Sequence, residues 1–161
     1  IIDTPGAELS QHAEENAMAG SIARTLGELV DVDVPTVSII LGQGCGGGAL
    51  AMLPSDRVLA AENAWLSPLP PEGASAIIYR DTSHAPRMME EQRVSAQALV
   101  SAGIVDDIIP EKGDAAAEPE EFVRRTMSYI EHTIKELETS PQRVGREQRF
   151  QHYESLAKRL I

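Results

Sequence analysis

Gly42-Gln43-Gly44-Cys45-Gly46-Gly47-Gly48 places five glycines in seven positions. The apolar, β-branched stretch 36–41 precedes it, and helix formers at 49–53 follow. The pattern predicts a strand, a tight turn and a helix. Glycine lets the backbone reach positive φ and lets another group approach closely. A helix starting there offers unpaired N–H donors and the positive end of its dipole. Such a place suits an oxyanion, either an enolate oxygen or a phosphate. A plain packing turn accounts for the same glycines equally well. No phosphate-loop lysine stands near the run. Residues 42–47 satisfy G-x-G-x-x-G, but Glu62, near the spacing of the acidic partner, stands in turn-like company.

Other reactive side chains carry less. Cys45 sits at a helix N-terminus, which can lower a thiol pKa, but no histidine is close in sequence. His12, His84, His132 and His152 have no metal-ligand spacing, so no metal site is expected. Glu14 and Glu15 stand in the first turns of a helix, where carboxylates favour the dipole. Arg143, Arg146 and Arg149 recur at i, i+3 and i+6. They can meet a CoA phosphate or an acidic partner, although a solvated helix face is the commoner reading.

The chain has 161 residues, enough for one domain with a core. Its net charge of −11 argues against nucleic-acid binding. No apolar run reaches the length of a membrane span, and no signal peptide is visible. One cysteine excludes an internal disulfide framework and fits a reducing cytoplasm. The chain opens at Ile1-Ile2 inside an expected strand, which suggests a fragment with sheet missing on its N-terminal side.

The elements that must position the glycines read in order. Asp3-Thr4-Pro5-Gly6 is a turn, and Ser10 is the expected N-cap of a helix with Met18, Ile22, Leu26 and Leu29 or Val30 on one face. After the glycine helix, 57–60 and 65–67 read as strands. A rigid loop over 68–73 leads to a helix over 74–79. Pro86 stands at N1 of a helix running to about Ser101, stopped by Gly103. The run 104–109 is a further strand. Alternation of this kind implies an α/β fold with a largely parallel sheet. An exposed connection over 112–119 leads to a long helix with Phe122, Ile130, Ile134 and Leu137 on one face. Ser140-Pro141 starts a last helix with Tyr153, Leu156 and Leu160, and the two helices are expected to pack as a hairpin.

Several segments together resemble the carboxyltransferase alpha subunit of bacterial acetyl-CoA carboxylase, within the biotin-dependent acyl-CoA carboxyltransferases. They are Ile2-Asp3-Thr4-Pro5-Gly6-Ala7, Gly46-Gly47-Gly48-Ala49-Leu50-Ala51, the stretch 67–77, Ala85-Pro86 and the stretch 103–111. The resemblance covers roughly residues 1–111. It implies a crotonase-like ββα superhelix there, N-terminally incomplete, followed by a helical extension over 112–161. Gln43, Cys45 and the proline-rich 68–71 depart from the pattern and leave the acyl group open.

The resemblance also implies a function: carboxylate moves from N-carboxybiotin, borne on a biotin carboxyl carrier protein, to an acyl-CoA, with acetyl-CoA giving malonyl-CoA. Each active site lies between two halves, so the implied partners are a complementary beta-type half, the carrier protein and acyl-CoA in a cytoplasmic oligomer. Negative charge develops on the ureido oxygen of biotin, and backbone donors near Gly47, Gly48 and Ala49 form the implied oxyanion hole. Gly44 and Gly46 belong to the implied biotin site, with Glu72, Gly73 and Ala74 as the opposite wall. No protein nucleophile is needed. Three alternatives stay open: a malonate or glutaconyl-type decarboxylase component, a hydratase or isomerase of the same fold, and a non-catalytic partner-binding scaffold.

Overall fold

The structure, a computed structural model, describes residues 1–8, 10–140 and 144–160. Five strands form one parallel sheet: β1 (Ile2–Thr4), β2 (Val37–Cys45), β3 (Arg57–Ala61), β4 (Trp65–Ser67) and β5 (Asp107–Ile109). Their order is β1-β2-β3-β5, with β4 also paired to β2. β2 is the axis of the sheet. Its first half pairs with β3 from Val37↔Arg57 to Ile40↔Ala60. Its second half pairs with β4 from Gln43↔Trp65 to Cys45↔Ser67. Parallel strands covered by helices read as near-continuous apolar runs, as 37–41 does apart from Ser38, whose hydroxyl donates to the Met52 carbonyl at 2.6 Å. Ile2, Ile39, Ile40, Leu59, Ala60, Leu99, Ile109 and Phe122 meet in the core.

The helices are α1 (Gln11–Glu15), α2 (Met18–Asp31), α3 (Gly46–Ala51), α4 (Pro71–Tyr79), α5 (Ala85–Gln92), α6 (Ala96–Ala102), α7 (Pro119–Thr139) and α8 (Arg146–Leu160). Ser10 caps α1 by accepting the Ala13 N–H, and Gly103 ends α6 at φ 75°. Two expected helices are broken. The first divides at Ala17, which is left-handed at φ 56°. The one expected from Pro86 to Ser101 divides at Arg93 (φ 54°), and Ser95 caps α6 by accepting the Ala98 N–H. The strand expected over 104–109 is paired only over Asp107–Ile109.

The last two helices are not the expected hairpin. α7 lies on the sheet and contributes Phe122, Tyr129 and Ile130 to the core. α8 packs against α2 instead. Its buried Leu156 and its Tyr153, whose hydroxyl donates to the Leu53 carbonyl at 3.2 Å, face the domain. Pro141, Arg143 and the Leu160 side chain lie outside what is described. Among the described residues, no helix is long and apolar enough to cross a membrane.

Candidate functional site

The glycine run divides between two elements. Gly42 and Gly44 are strand residues of β2; Gly46, Gly47 and Gly48 are the first turn of α3. Space around each glycine separates packing from access. A Cβ on Gly42 would lie 2.8 Å from Asp3 Oδ1, which also accepts the Gln43 N–H at 3.0 Å. A Cβ on Gly44 would lie 2.9 Å from both Leu66 Cδ1 and the Trp65 carbonyl, where β4 closes on β2. Gly44 therefore has a packing role, and it is buried. Gly46 is left-handed at φ 65°, turning the chain from strand into helix. A Cβ on Gly47 would stand 3.3 Å from Ile22 Cδ1 of α2. Gly48 alone of the five would direct a Cβ into open space.

Ala49 has no exposed surface, so its N–H cannot meet a ligand. In a helix starting at Gly46 that N–H also falls opposite the Cys45 carbonyl. Gly46 follows the Cys45↔Ser67 pairing directly, so its N–H faces the Ser67 carbonyl of β4. The first-turn donors left without a partner in helix or sheet are those of Gly47 and Gly48.

The second segment is equally selective. α4 begins at Pro71, three residues before the expected start, because proline suits a first helical turn. Ala74 is buried and its N–H donates to the Pro70 carbonyl at 2.9 Å, so it is withdrawn from the wall. Gly73 packs on Leu69. Glu72 is exposed. Pro5, Gln43, Trp65, Pro71, Glu72 and Met89 line a cavity of about 290 Å³. The turn after β1, the last part of β2, β4 and the start of α4 therefore meet around this cavity, toward the C-terminal ends of β1 and β2, where α/β sheets commonly hold ligands. Gln43 and Trp65 were not expected there. Only the strand pairing Gln43↔Trp65 brings them together.

Cys45 is buried, with Gly6 against it. Burial pushes its thiol up from the ordinary value, and the Glu72 carboxylate adds to this. The helix terminus does not produce an activated thiolate. Among the described residues, no three His, Cys, Asp or Glu are grouped to hold a metal. Glu62 accepts the Glu111 N–H at 2.8 Å and ties two turns together. A larger cleft of about 580 Å³, lined by Arg57, Asp107, Tyr129 and His132, lies at the opposite end of the strands.

Arg149 is neither a phosphate ligand nor a solvated side chain. It is buried against Asp56, with Nη2–Oδ2 at 2.9 Å and side-chain exposures of 1% and 0%. Arg146 is exposed, pairing with Asp31 at 3.1 Å.

A family model described as "Acetyl co-enzyme A carboxylase carboxyltransferase-like" matches residues 1–157. The chain is 52% identical over 153 residues, 95% of its length, to the probable biotin-dependent acyl-coenzyme A carboxylase beta3 subunit of Mycobacterium tuberculosis (strain ATCC 25618 / H37Rv), covering 31% of that protein. It is 36% identical over 157 residues, 97% of its length, to the acetyl-coenzyme A carboxylase carboxyl transferase subunit alpha of Thermus thermophilus, covering 50% of that one. The chain thus spans at most half the length of these relatives. It matches the transcarboxylase 12S structure with methylmalonyl-coenzyme A and methylmalonic acid bound at TM-score 0.66 and 24% identity, covering 86% of this chain and 26% of the other. That likeness concerns the fold, which is crotonase-like.

Proposed function

Since this chain belongs to the acetyl co-enzyme A carboxylase carboxyltransferase-like family, we propose that it forms one half of a site that moves carboxylate between biotin and an acyl-CoA. The observation that carries this reading is the open space off Gly48 in the first turn of α3, which continues directly from β2, the strand whose Gln43 lines the cavity that reaches Glu72. When bound, carboxybiotin supplies the carboxyl group and an oxygen that becomes negative as the group leaves. The chain's own part is to hold donors on that oxygen. The N–H groups of Gly47 and Gly48 are backbone groups, so they stay protonated through the reaction and need no reorganisation. Losing one donor of this kind costs ~10²–10³ in rate. Pro5, Gln43 and Trp65 would bound the bicyclic ring, and Pro71 and Glu72 the far wall.

The acyl acceptor in this reading is acetyl-CoA, as in the name of the Thermus relative. A broader acyl-CoA is favoured by the higher identity to the mycobacterial relative, 52% against 36%. A complementary carboxyltransferase half, a biotin carrier protein and an oligomeric, cytoplasmic setting complete the proposal. Its support is that both relatives are named as subunits and that the single cysteine is unpaired. Carboxyl exchange between malonyl-CoA and biotin, assayed with a complementary half present, tests the reading. Wild-type exchange lost in Gly48→Val supports it. Assembled protein that exchanges no carboxylate with any short acyl-CoA refutes it.

A further inference from the structure

The guanidinium of Arg149 makes an unusual number of bonds for a side chain on a terminal helix. Nε donates to Asp56 Oδ1 at 3.0 Å and Nη2 to Oδ2 at 2.9 Å, a bidentate pair. Nη1 donates to the carbonyls of Leu29 at 3.2 Å, Val30 at 2.9 Å and Val32, and Nη2 to that of Val34 at 3.0 Å. Leu29 and Val30 are the last turn of α2, whose carbonyls have no partner within the helix. Val32 and Val34 lead into β2. Asp56 in turn accepts from the N–H and hydroxyl of Thr36, both at 2.8 Å, at the threshold of β2. One side chain of α8 therefore fixes how α2 joins β2.

Both of those elements govern α3. α2 packs along α3, with Ile22 in van der Waals reach of Gly47. β2 runs without a break into Gly46. Four residues along α8 from Arg149, Tyr153 donates to the Leu53 carbonyl, just past the end of α3. α8 thus holds the neighbour of the glycine helix and the exit from it.

We propose that α8 is a brace for the glycine helix and that Arg149 is its positioning residue, setting the alignment of the Gly47 and Gly48 donors without touching substrate. The catalytic part of this inference rests on the carboxyl-transfer reading above; the mechanical part does not. Donor misplacement by ~1 Å is enough to cost about 10²-fold in rate.

The test uses the chain assembled with a complementary half. Arg149→Met alone strands a buried carboxylate and can fail to fold, so it is paired as Arg149→Met/Asp56→Asn, which removes both charges. Tyr153→Phe is a second, milder variant, and Arg146→Ala is a control for the exposed α8–α2 contact. In the double variant, hydrogen exchange of the amides of residues 49–53 is expected to rise ~10-fold or more. The kcat is expected to fall by about 10²-fold with KM for acyl-CoA within ~2-fold. Tyr153→Phe should show smaller changes of the same kind, and Arg146→Ala none. Arg149→Lys keeps the charge but not the fork, so it should restore folding and not kcat. Unchanged exchange at 49–53 with raised exchange confined to α8 would make that helix an appendage and overturn the brace. So would loss of rate equal in Arg146→Ala. If wild-type protein transfers no carboxylate while the exchange pattern appears, the functional reading fails and the brace stands.

Discussion

Gly48 and Gly47 are neighbours with opposite constraints, and their variants should separate fold from function. Gly48 has ordinary helical φ and an open Cβ position. Gly48→Ala should leave Tm unchanged or raise it, since alanine is favoured over glycine in helices by about 1 kcal/mol. Gly48→Val should still fold, yet both side chains occupy the approach to the first-turn donors. We expect carboxyl exchange to fall ~10-fold or more in Gly48→Ala and further in Gly48→Val. Gly47→Val should instead destabilise by about 1–3 kcal/mol through overpacking on Ile22. Thermal melts and exchange rates on the same samples check the pair. Cys45 gives a contrasting outcome. Its buried, raised thiol should react with iodoacetamide at pH 8 far more slowly than the unfolded chain does, and Cys45→Ala should keep most activity. Rapid alkylation that abolishes exchange would point to a thiol mechanism.

Two helices carry opposite pH limits. At the start of α7, Glu118 pairs with Arg125 at 2.9 Å and accepts the Lys112 N–H, which together hold its carboxyl down at about 2. A depressed carboxyl contributes stability that is present above its unfolded value near 4.5 and fades as pH falls through about 2. Glu118→Gln should therefore flatten the fall in Tm between those limits. In α8, burial pushes the Tyr153 phenol up to about 12 from 10.0. Here the folded state holds the proton longer, so stability is full below pH 10 and is lost as pH rises through 12. Tyr153→Phe should remove that alkaline loss, and Tm measured from pH 9 to 12 reads it directly. These local contacts depend on packing that the sequence does not display. The strand–turn–helix at the glycines was legible because β-branched residues, glycines and helix formers follow one another there. The break at Arg93 was not, since arginine rarely signals a left-handed residue; the following Ser95 cap was the available cue. Arg149 and Asp56 are 93 residues apart, and a periodic arginine looks the same whether solvated or buried. The burial of Ala49, expected as a donor, and of Ala74, expected in the opposite wall, was not legible either, because burial at the start of a helix depends on what packs over it.

The whole molecule leaves apolar surface exposed on the helix that begins at its candidate site. Ile77 and Ile78 are 72% and 61% exposed on α4, the helix whose first turn carries Glu72. Leu69, in the loop before that helix, is also exposed. Large apolar side chains left exposed on one helix fit a surface that is covered in use. In the proposed arrangement, the covering surface is the complementary carboxyltransferase half, which brings the acyl-CoA to the carboxybiotin held at the Gly47 and Gly48 donors. The expectation is that this chain alone exchanges no carboxylate, and that activity appears with the second half in a stable complex. Ile77→Glu/Ile78→Glu should leave Tm nearly unchanged, because exposed helix substitutions shift stability by no more than about 0.5 kcal/mol. It should also lower both complex formation and carboxyl exchange. Sedimentation of the mixed halves, run beside the exchange assay, reads both quantities. Full exchange from a strictly monomeric sample would remove the need for a second half. Normal assembly and activity of the double glutamate variant would move the interface away from α4, leaving the glycine site to be completed from another side.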